Sequence, residues 1–529
     1  MSNAPIVTKY LPDSRQLVLT IPEGLTWPNA VEKRIIQRQT RNGHQYALVP
    51  HQFADHVPYL QERIDVAHPI EYQYDWPSAK GFVPKKYQIK SASLATIWPK
   101  FLNQNGMGTG KTLTALWAYD YLMSIGYISR CLVLAPLSTL TEVWASHIMQ
   151  HFPHRTVSML TGAKSTRVKR LNRLSDFYLV NHAGMVVLYE ELMDRPDINA
   201  SIFDEVSEIR NLTRVYNHYM TWATQEGRPW RMGLTATPTP HEPADAFALG
   251  KFLENPQTPS SKAAFKAKVM ERNIFSGRWE SKEGCEASVA QLLVPSVRFT
   301  RDELDIPETT YSHRTVPMTS DQSKSFEIMK ETLRVELEQG VITAANGAVK
   351  MRKLLQICSG GIRHTEENTE HFIDATPRWK EVVDIINQCG EKVLIFIPEK
   401  SVGIPSLNAY LSKHHLPPLV VHGGVPKGQR DEMYHEFQHN KKDKRVMIAQ
   451  PQVMAHGLNF SAATCIVWVT PNNSSNVFVQ ANGRIPRMDQ QHKTNIIMLS
   501  GTTFERRLYQ VLIDKENFQQ KVLEILLTA

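Results

Sequence analysis

A glycine-rich stretch, GMGTGKT at 106–112, has the residue types that bind a phosphate group. Its glycines let successive backbone N–H groups converge on an anion, and a helix that starts beneath them adds its positive end. Lys111 would reach the β- and γ-phosphates, and the Thr112 hydroxyl would bind Mg²⁺. The residues expected to bind nucleotide here are Gly106, Gly108, Thr109, Gly110, Lys111 and Thr112.

The first position of this loop departs from the usual pattern, G-x-x-x-x-G-K-[ST], because the chain has Asn105 where the pattern has glycine. Glycine is needed where the backbone takes a positive φ or comes very close to a ligand. Asparagine is the next most tolerant residue of the left-handed region, so we expect a nucleotide site. The alternative is a glycine-rich turn ahead of a core helix.

Two adjacent carboxylates, Asp204 and Glu205, follow the apolar run SIF. A nucleotide-hydrolysing site needs one carboxylate to orient Mg²⁺ and another to polarise the attacking water, and we assign these roles to Asp204 and Glu205 in that order. Paired acids at a strand end are common. The catalytic interpretation is favoured by order along the chain: the glycine-rich loop, the acidic pair, GLTATP at 233–238, then an arginine-bearing segment at 480–490.

Short apolar runs position these polar residues, and helical patterns separate several of the runs. Runs of this kind predict buried strands of parallel sheets, and ligands bind such sheets at the carboxyl ends of the strands. The runs are Cys131–Pro136, Phe177–Asn181, Ser201–Glu205 and Arg231–Pro238 in a first block, and Lys392–Pro398, Leu419–Gly424, Arg445–Gln450, Cys465–Thr470 and Asn495–Ser500 in a second.

The predicted fold class is therefore α/β, with two lobes, a helix-rich stretch between them and a small N-terminal α+β domain. Pro and Gly in the segment Tyr74–Pro84 predict a linker. The predicted divisions are an N-terminal accessory domain at 1–78, a first lobe at 79–250, a helical insertion and linker at 251–374, and a second lobe at 375–529.

The composition limits the kinds of binding partner and the cellular compartment that suit the protein. A formal net charge of +8 favours an anionic partner, with nucleic acid as the first candidate, although a mildly basic enzyme without a polymer partner fits equally well. The five cysteines are scattered and never form CxxC, which argues against a disulfide framework and a zinc module. No apolar run reaches the ~18 residues that a membrane span needs. We expect a cytoplasmic protein.

The motifs together resemble those of the superfamily-two helicases, and most closely the Swi/Snf-type double-stranded DNA translocases. The resemblance covers about residues 84 to 525. It consists of KKYQIKSA around Gln88 (the adenine-reading Q motif), QNGMGTGKT (motif I), LAPLSTLTEVW at 134–144 (motif Ia), DEVSEIRN (motif II), GLTATP (motif III), MRKLLQICSGG at 351–361 (the segment joining the lobes), HGLNFSAA at 456–463 (motif V) and QANGRIPRMDQ (motif VI).

The resemblance implies two RecA-like lobes with ATP in a cleft between them. Arg484 and Arg487 would act as arginine fingers, and Gln480 would sense the same phosphate region. Gln88 and Gly457 are expected at the nucleotide, and Thr235 and Thr237 would couple it to DNA. The residues expected to contact the DNA backbone are Ser138, Thr139, Asn181, His182 and Asn459.

The expected activity is that of a DNA-dependent ATPase that uses ATP and Mg²⁺ to remodel branched or duplex DNA, as a monomer in a bacterial or phage-infected cell. The N-terminal ~75 residues would bind the junction. Three alternatives stay open: an RNA-directed ATPase of the same superfamily, a translocase that strips proteins from DNA, and a nucleotide-gated DNA-binding protein with weak turnover. The last follows if Asn105, and Ser207 where the family has His, impair the cycle.

Overall fold

The computed structural model of the 529-residue chain describes residues 6–11, 16–24, 32, 35–50, 69–79, 82–272, 279–299, 309–338, 344–364, 369–439, 444–454, 460–472, 474–485, 490 and 492–513. The chain divides into two compact units, the first ending at Thr300 and the second beginning at Arg301. Each unit contains one parallel sheet flanked by helices, which confirms the predicted fold class of two α/β lobes.

The N-terminal sheet of the first unit has four antiparallel strands in the order β1-β2-β4-β3. Leu19 and Val49, on its inner strands, belong to the same buried cluster as the central strands of the lobe. The four strands of the predicted accessory domain lie in the first unit. The strands are β1 (Ile6–Leu11), β2 (Gln16–Pro22), β3 (Gln37–Arg41) and β4 (His44–Pro50).

The main sheet of the first unit has seven strands in the order β13-β5-β10-β9-β6-β8-β7, and all of its pairs are parallel. Successive residues of a strand face opposite sides of a sheet, and here Phe101 and Leu102 enter the two different apolar clusters that cover its faces. The strands, with the separate hairpin β11–β12, are β5 (Lys100–Asn103), β6 (Cys131–Ala135), β7 (Val157–Met159), β8 (Phe177–Asn181), β9 (Ala200–Asp204), β10 (Trp230–Leu234), β11 (Met270–Arg272), β12 (Trp279–Ser281) and β13 (Ser296–Val297).

Helices cover both faces of this sheet. A π-helical turn, Leu140–Ala145, and two 3₁₀ turns, Val206–Asn211 and Pro243–Asp245, follow strands or loops near its carboxyl edge. The α-helices are Pro69–Gln73, Lys86–Ile97, Lys111–Ser124, Ser146–His151, Lys164–Leu171, His182–Val187, Tyr189–Met193, Arg214–Ala223, Ala246–Phe252, Lys262–Val269 and Cys285–Leu292.

The segment Tyr74–Pro84, predicted to be a linker, is packed against the lobe. Its described residues form no helix or strand, in agreement with its Pro and Gly content. However, the Tyr74 hydroxyl donates to the buried Asp120 carboxylate at 2.6 Å, and the Trp76 ring lies edge-on to Trp117 with centroids 5.6 Å apart. The segment is thus fixed to the helix that follows the glycine-rich loop.

The sheet of the second unit has six parallel strands in the order β14-β21-β20-β17-β19-β18. The strands, with the separate hairpin β15–β16, are β14 (Thr309–Thr315), β15 (Gly361–His364), β16 (Thr369–Phe372), β17 (Lys392–Phe396), β18 (Leu419–Val421), β19 (Val446–Ala449), β20 (Ala463–Trp468) and β21 (Thr494–Ser500).

Helices of the second unit include the pair Ser320–Glu338 and Ala344–Cys358, which lies in the predicted helical insertion. The predicted segment 251–374 is therefore divided between the two units, since β13 joins the first sheet and β14 the second. The remaining helices are Thr376–Cys389, Gly403–Lys413, Lys427–His439, Pro451–Met454, Ser475–Asn482 and 503–513. None of the helices in the described residues is long and apolar enough to cross a membrane.

Candidate active site

The glycine-rich loop connects the end of β5 to the helix Lys111–Ser124. Gly108 and Gly110 have φ angles of 80° and 76°, in the left-handed region that favours glycine. The Lys111 ammonium donates to the carbonyls of Asn105 at 2.8 Å and Gly106 at 3.0 Å, so it lies across the loop. The Thr112 side chain is half-buried at the start of the helix.

Asn105 does not adopt a positive φ, so tolerance of the left-handed region was the wrong reason to expect Asn at this position. Its side chain is fully buried and makes two hydrogen bonds. The amide nitrogen donates to Ser91 Oγ at 2.8 Å, and the amide oxygen accepts from the Phe299 N–H at 2.8 Å. Asn105 thus joins the loop to the helix Lys86–Ile97 and to the end of the first unit.

Gln88, predicted to read adenine, is fully buried beside the same loop. Its amide nitrogen donates to the Thr109 carbonyl at 3.0 Å, and its amide oxygen accepts from the Lys85 N–H at 2.9 Å. The Tyr87 hydroxyl donates to the same Thr109 carbonyl at 3.2 Å. Gln88 therefore holds the loop through the Thr109 carbonyl. Its contact with adenine stays a prediction.

Asp204 ends β9, and its carboxylate is held from two sides. The Trp144 indole N–H donates to Oδ2 at 3.0 Å, and the Glu205 backbone N–H donates to Oδ1 at 3.1 Å. Burial raises the pKa of the Asp204 carboxyl above its ordinary value, while the Trp144 hydrogen bond and then the nearby Lys111 charge lower it. The Asp204 carboxylate is therefore held in place by two hydrogen bonds.

Glu205 follows in a left-handed conformation, with φ of 53° and ψ of 49°. Such a conformation is uncommon for a residue with a side chain, and it recurs at sites where function constrains the backbone. It turns the chain directly into the 3₁₀ turn Val206–Asn211. The separate roles predicted for Asp204 and Glu205 stay predictions.

Thr235 and Thr237 follow β10, between the loop and the acidic pair. The Thr235 N–H donates to the Asn103 carbonyl at 3.1 Å, and its hydroxyl donates to Ser207 Oγ at 3.4 Å. The Thr237 N–H donates back to Thr235 Oγ1 at 3.0 Å. Ser207, which replaces the family's His, is therefore in contact with the segment predicted to couple ATP to DNA.

The four described residues predicted to contact DNA lie at the ends of β6 and β8, which are neighbours in the sheet. Ser138 is exposed, whereas Thr139 is buried and its hydroxyl donates to the Pro136 carbonyl at 3.0 Å. Asn181 accepts from Arg167 at 3.1 Å, and a ring nitrogen of His182 lies 2.9 Å from the Asp204 carbonyl. Because the sheet is parallel, these segments share one edge with the glycine-rich loop.

The second unit brings motifs V and VI together. The Phe460 N–H donates to the Arg484 carbonyl at 3.0 Å, and Gln490 donates to the Ser461 and Ala463 carbonyls at 3.0 Å and 2.9 Å. Gln480 and Arg484 are both buried. Gly457, Asn459 and Arg487 lie outside the described residues, so their predicted roles stay predictions.

Sequence reasoning did not identify Trp144, Ser91, Phe299 or Gln490 as parts of the site. Trp144 was recognised at the end of motif Ia. Its hydrogen-bond partner, Asp204, lies 60 positions further along the chain, so the sequence alone does not indicate the contact. Ser91 lies in the segment KKYQIKSA, where only Gln88 was given a role, and Phe299 lies in no quoted motif; the fold brings both to Asn105. Gln490 was within motif VI, where no role could be assigned without the contact to motif V.

Two family models match the chain. The SNF2-related domain matches residues 102–371, and the helicase conserved C-terminal domain matches residues 377–489. The first match alone covers more than half of the chain.

Several known proteins are similar to this chain over most of its length. A protein named p41 from Acyrthosiphon pisum secondary endosymbiont phage 1 is 24% identical over 479 residues, covering 85% of this chain and 99% of p41. The Arabidopsis thaliana ATP-dependent DNA helicase DDM1 is 23% identical over 495 residues, covering 84% of this chain and 63% of DDM1. A solved Sulfolobus solfataricus SWI2/SNF2 ATPase core in complex with dsDNA is 19% identical, with a TM-score of 0.39 and coverage of 84% and 94%.

The domain matches agree with the order of motifs and with the two α/β lobes that hold them. The glycine-rich loop, the acidic pair and the GLTATP segment lie within the first match, and Gln480 and Arg484 lie within the second. The chain belongs to the SNF2-related family of superfamily-two helicases and is a Swi/Snf-like DNA translocase, that is, a DNA-dependent ATPase.

Proposed function

We propose that this ATPase remodels branched DNA during replication, recombination or repair. The observation that supports the proposal is the common edge of the first sheet, where the nucleotide loop, Asp204 and the ends of β6 and β8 meet. A motor needs its nucleotide and its track on connected elements, so that each hydrolysis step changes the grip on the track. The absence of a reader of base sequence among the motifs favours recognition of DNA backbone and shape.

In the proposed nucleotide site, Lys111 and the loop N–H groups bind the phosphates of ATP. The oxygen donors of Thr112 and Asp204 suit Mg²⁺, a hard cation that prefers hydroxyl, carboxylate and water ligands. Bound Mg²⁺ would neutralise charge that develops on the phosphates. Glu205 polarises the attacking water, and Arg484 and Arg487 are the residues that we expect to supply positive charge to the transition state.

At the proposed DNA surface, Ser138 and Asn181 hold the backbone of one strand. Ser138 is exposed and available for this contact, and Asn181 is partly exposed. Thr139 and His182, whose side chains are engaged within the protein, support the exposed contacts. Contacts of this kind are independent of sequence and sensitive to salt.

The N-terminal sheet is the proposed junction-binding element. Its edge strand β3, QRQTR, is exposed at every position and includes Arg38 and Arg41. An exposed edge with positive charge suits the phosphates of a DNA arm. The sheet shares its core with the first lobe, so it would hold a second arm at a fixed orientation to the motor.

A remodelling assay on synthetic DNA tests the proposal. A labelled four-way junction and a model fork are incubated with ATP and wild-type protein or Lys111→Ala, and the products are separated on a native gel. We expect conversion of both substrates to regressed or separated arms by the wild-type protein alone. Two further substrates test the alternatives: an RNA duplex, and linear DNA carrying a bound protein block. Conversion of either one without conversion of the junction would reject junction remodelling.

A further inference from the structure

Trp144 connects motif Ia to the catalytic carboxylate. It is fully buried, and its indole N–H donates to Asp204 Oδ2 at 3.0 Å. Strand β6 leads through Pro136 into the predicted DNA segment Ser138–Thr139, and Trp144 follows within the next turn. The tryptophan therefore belongs to the same short element as the DNA segment, while its polar atom contacts the ATP site.

The turn that carries Trp144 is a π-helix, Leu140–Ala145, in which the Ser146 N–H contacts the Thr141 carbonyl, five residues back. π-helical turns are rare and often occur at functional sites. The same Ser146 N–H also contacts the Val143 carbonyl, three residues back, so the end of the turn combines a π-helical and a 3₁₀ hydrogen bond. A change of register by one residue turns a helix by about 100°, which would move the indole away from Asp204.

A second link leads from β8 to the same aspartate. A ring nitrogen of His182 lies 2.9 Å from the Asp204 carbonyl. Because a carbonyl only accepts hydrogen bonds, this nitrogen carries the proton. The His182 ring also stacks on Phe203, with centroids 4.9 Å apart. Both predicted DNA segments thus end in a hydrogen bond to Asp204, one to its carboxylate and one to its backbone.

We propose that Trp144 is a positioning residue that couples DNA binding to ATP hydrolysis, with His182 as its partner on the neighbouring strand. DNA held at Ser138 and Asn181 fixes the two segments, and their hydrogen bonds fix the orientation in which Asp204 meets the nucleotide. The inference rests on the proposed DNA contacts. It deepens that proposal by naming the side chains through which the track acts on the chemistry.

The linkage must act in both directions, because a coupling free energy between two binding sites is reciprocal. If DNA strengthens nucleotide binding through Trp144, bound nucleotide must strengthen DNA binding through the same residue by the same factor. The effect of DNA on kcat is a separate readout, to which this reciprocity does not apply. Hydrogen bonds to charged groups and typical allosteric couplings both correspond to roughly 10-fold effects or more. Loss of the indole donor should therefore be measurable on both sides.

The test compares Trp144→Phe with Trp222→Phe. Both tryptophans are fully buried in the first unit, and both indoles donate one hydrogen bond, but the Trp222 acceptor is the Leu192 carbonyl, outside the site. Two quantities are measured: the ratio of kcat with and without duplex DNA, and the ratio of DNA affinities with and without a non-hydrolysable ATP analogue. The second is read by fluorescence anisotropy of a labelled duplex and requires no turnover.

We expect Trp144→Phe to lower both ratios by about 10-fold and Trp222→Phe to change neither by more than about twofold. Equal ratios in the two variants would overturn the coupling role and leave Trp144 as a packing residue. If Trp144→Phe does not fold, His182→Phe takes its place, because it keeps an aromatic ring against Phe203 and removes the hydrogen bond to the Asp204 carbonyl. Ratios in that variant equal to those of the wild type would overturn the proposal.

Failure of the proposed DNA contacts would give a different result. In that case the wild-type protein itself would bind the labelled duplex no more tightly than a Ser138→Glu, Asn181→Asp variant does. Wild-type binding that this negatively charged variant loses, together with equal ratios in Trp144→Phe and Trp222→Phe, would preserve the DNA surface and reject only the coupling.

Discussion

Asn105 shows that a departure from a sequence pattern can be an adaptation of the same site. Its buried side-chain amide makes two hydrogen bonds, to Ser91 Oγ and from the Phe299 N–H, and a glycine could make neither. The backbone does not need glycine there, because φ is not positive. Asn105 therefore connects the loop to its two neighbours by hydrogen bonds, whereas a glycine would only give the backbone more conformational freedom.

Restoring the usual glycine should accordingly destabilise the protein. Asn105→Gly removes the acceptor of the partly buried Phe299 N–H and the donor to the buried Ser91 hydroxyl, which costs about 1–3 kcal/mol. The matched control is Asn42→Gly, at an exposed turn position with φ of 52°, where glycine relieves strain. Urea denaturation should show a lower free energy of unfolding for the first variant only. Equal stability of Asn105→Gly and the wild type would contradict this account of the loop.

His147 should make the stability of the first unit depend on pH. Burial, and then the neighbouring His151, lower the pKa of His147 to about 4 from an ordinary value of 6.5. The unfolded chain therefore binds more protons between these values, so stability that is present above pH 6.5 is lost as the pH falls toward 4. His147→Phe should remove that part of the loss, seen as a melting temperature that falls less on acidification in the variant than in the wild type. Melting temperatures of variant and wild type that fall equally between pH 6.5 and 4 would contradict this role of His147.

At the scale of elements, β10 positions Thr235 through a close contact at Gly233. A Cβ at this glycine would lie 2.9 Å from both Leu102 Cδ1 and Val206 Cγ1, which is closer than real carbon atoms approach. The neighbours belong to β5 and to the turn after β9, the two elements that carry the nucleotide loop and the acidic pair. Glycine thus lets these three elements approach one another.

Gly233→Ala should therefore separate the elements of the site. Overpacking of this kind typically costs about 1–3 kcal/mol. The control is Gly428→Ala, on the helix Lys427–His439, where a Cβ meets nothing within 4 Å and alanine favours the helix. Denaturation should show a loss of stability for Gly233→Ala and none for Gly428→Ala. A Gly233→Ala protein as stable as the wild type would mean that the three elements adjust freely.

The elements that could be predicted from sequence are those with a strong local pattern. The buried strand FYLVN was predicted and observed at Phe177–Asn181, and SIFDE differs from β9 by one residue at each end. The packing of the segment Tyr74–Pro84 against the first lobe was not predicted, because its contacts with Asp120 and Trp117 join residues about 40 positions apart. Contacts of that range depend on the fold and leave no periodic signal.

At the scale of the whole molecule, the sequence predicted two α/β lobes because each contributes several isolated apolar runs. It did not predict how the residues between them divide. Strand β13 pairs with β5 of the first sheet, and β14 pairs with β21, the last strand of the second. Pairing between strands so far apart in sequence is decided by the completed sheets, so no local pattern indicates it.

Charge makes a further prediction for the whole molecule. A net charge of +8 and a grip on DNA backbone imply that binding releases counterions from several phosphates. If about four phosphates are neutralised, the logarithm of DNA affinity should fall against the logarithm of salt concentration with a slope of about −4. Anisotropy titrations of a labelled duplex between 50 and 200 mM salt would measure it. Affinity that does not change over this range would contradict backbone gripping.

The steady-state ATPase rate tests the central claim most directly. It is measured with no nucleic acid and with double-stranded DNA, single-stranded DNA, a four-way junction and RNA, for the wild-type protein and Lys111→Ala. The account predicts strong stimulation of the wild-type protein by duplex or junction DNA and none in the variant. Stimulation by RNA alone, or turnover no greater than that of Lys111→Ala on every substrate, would contradict it.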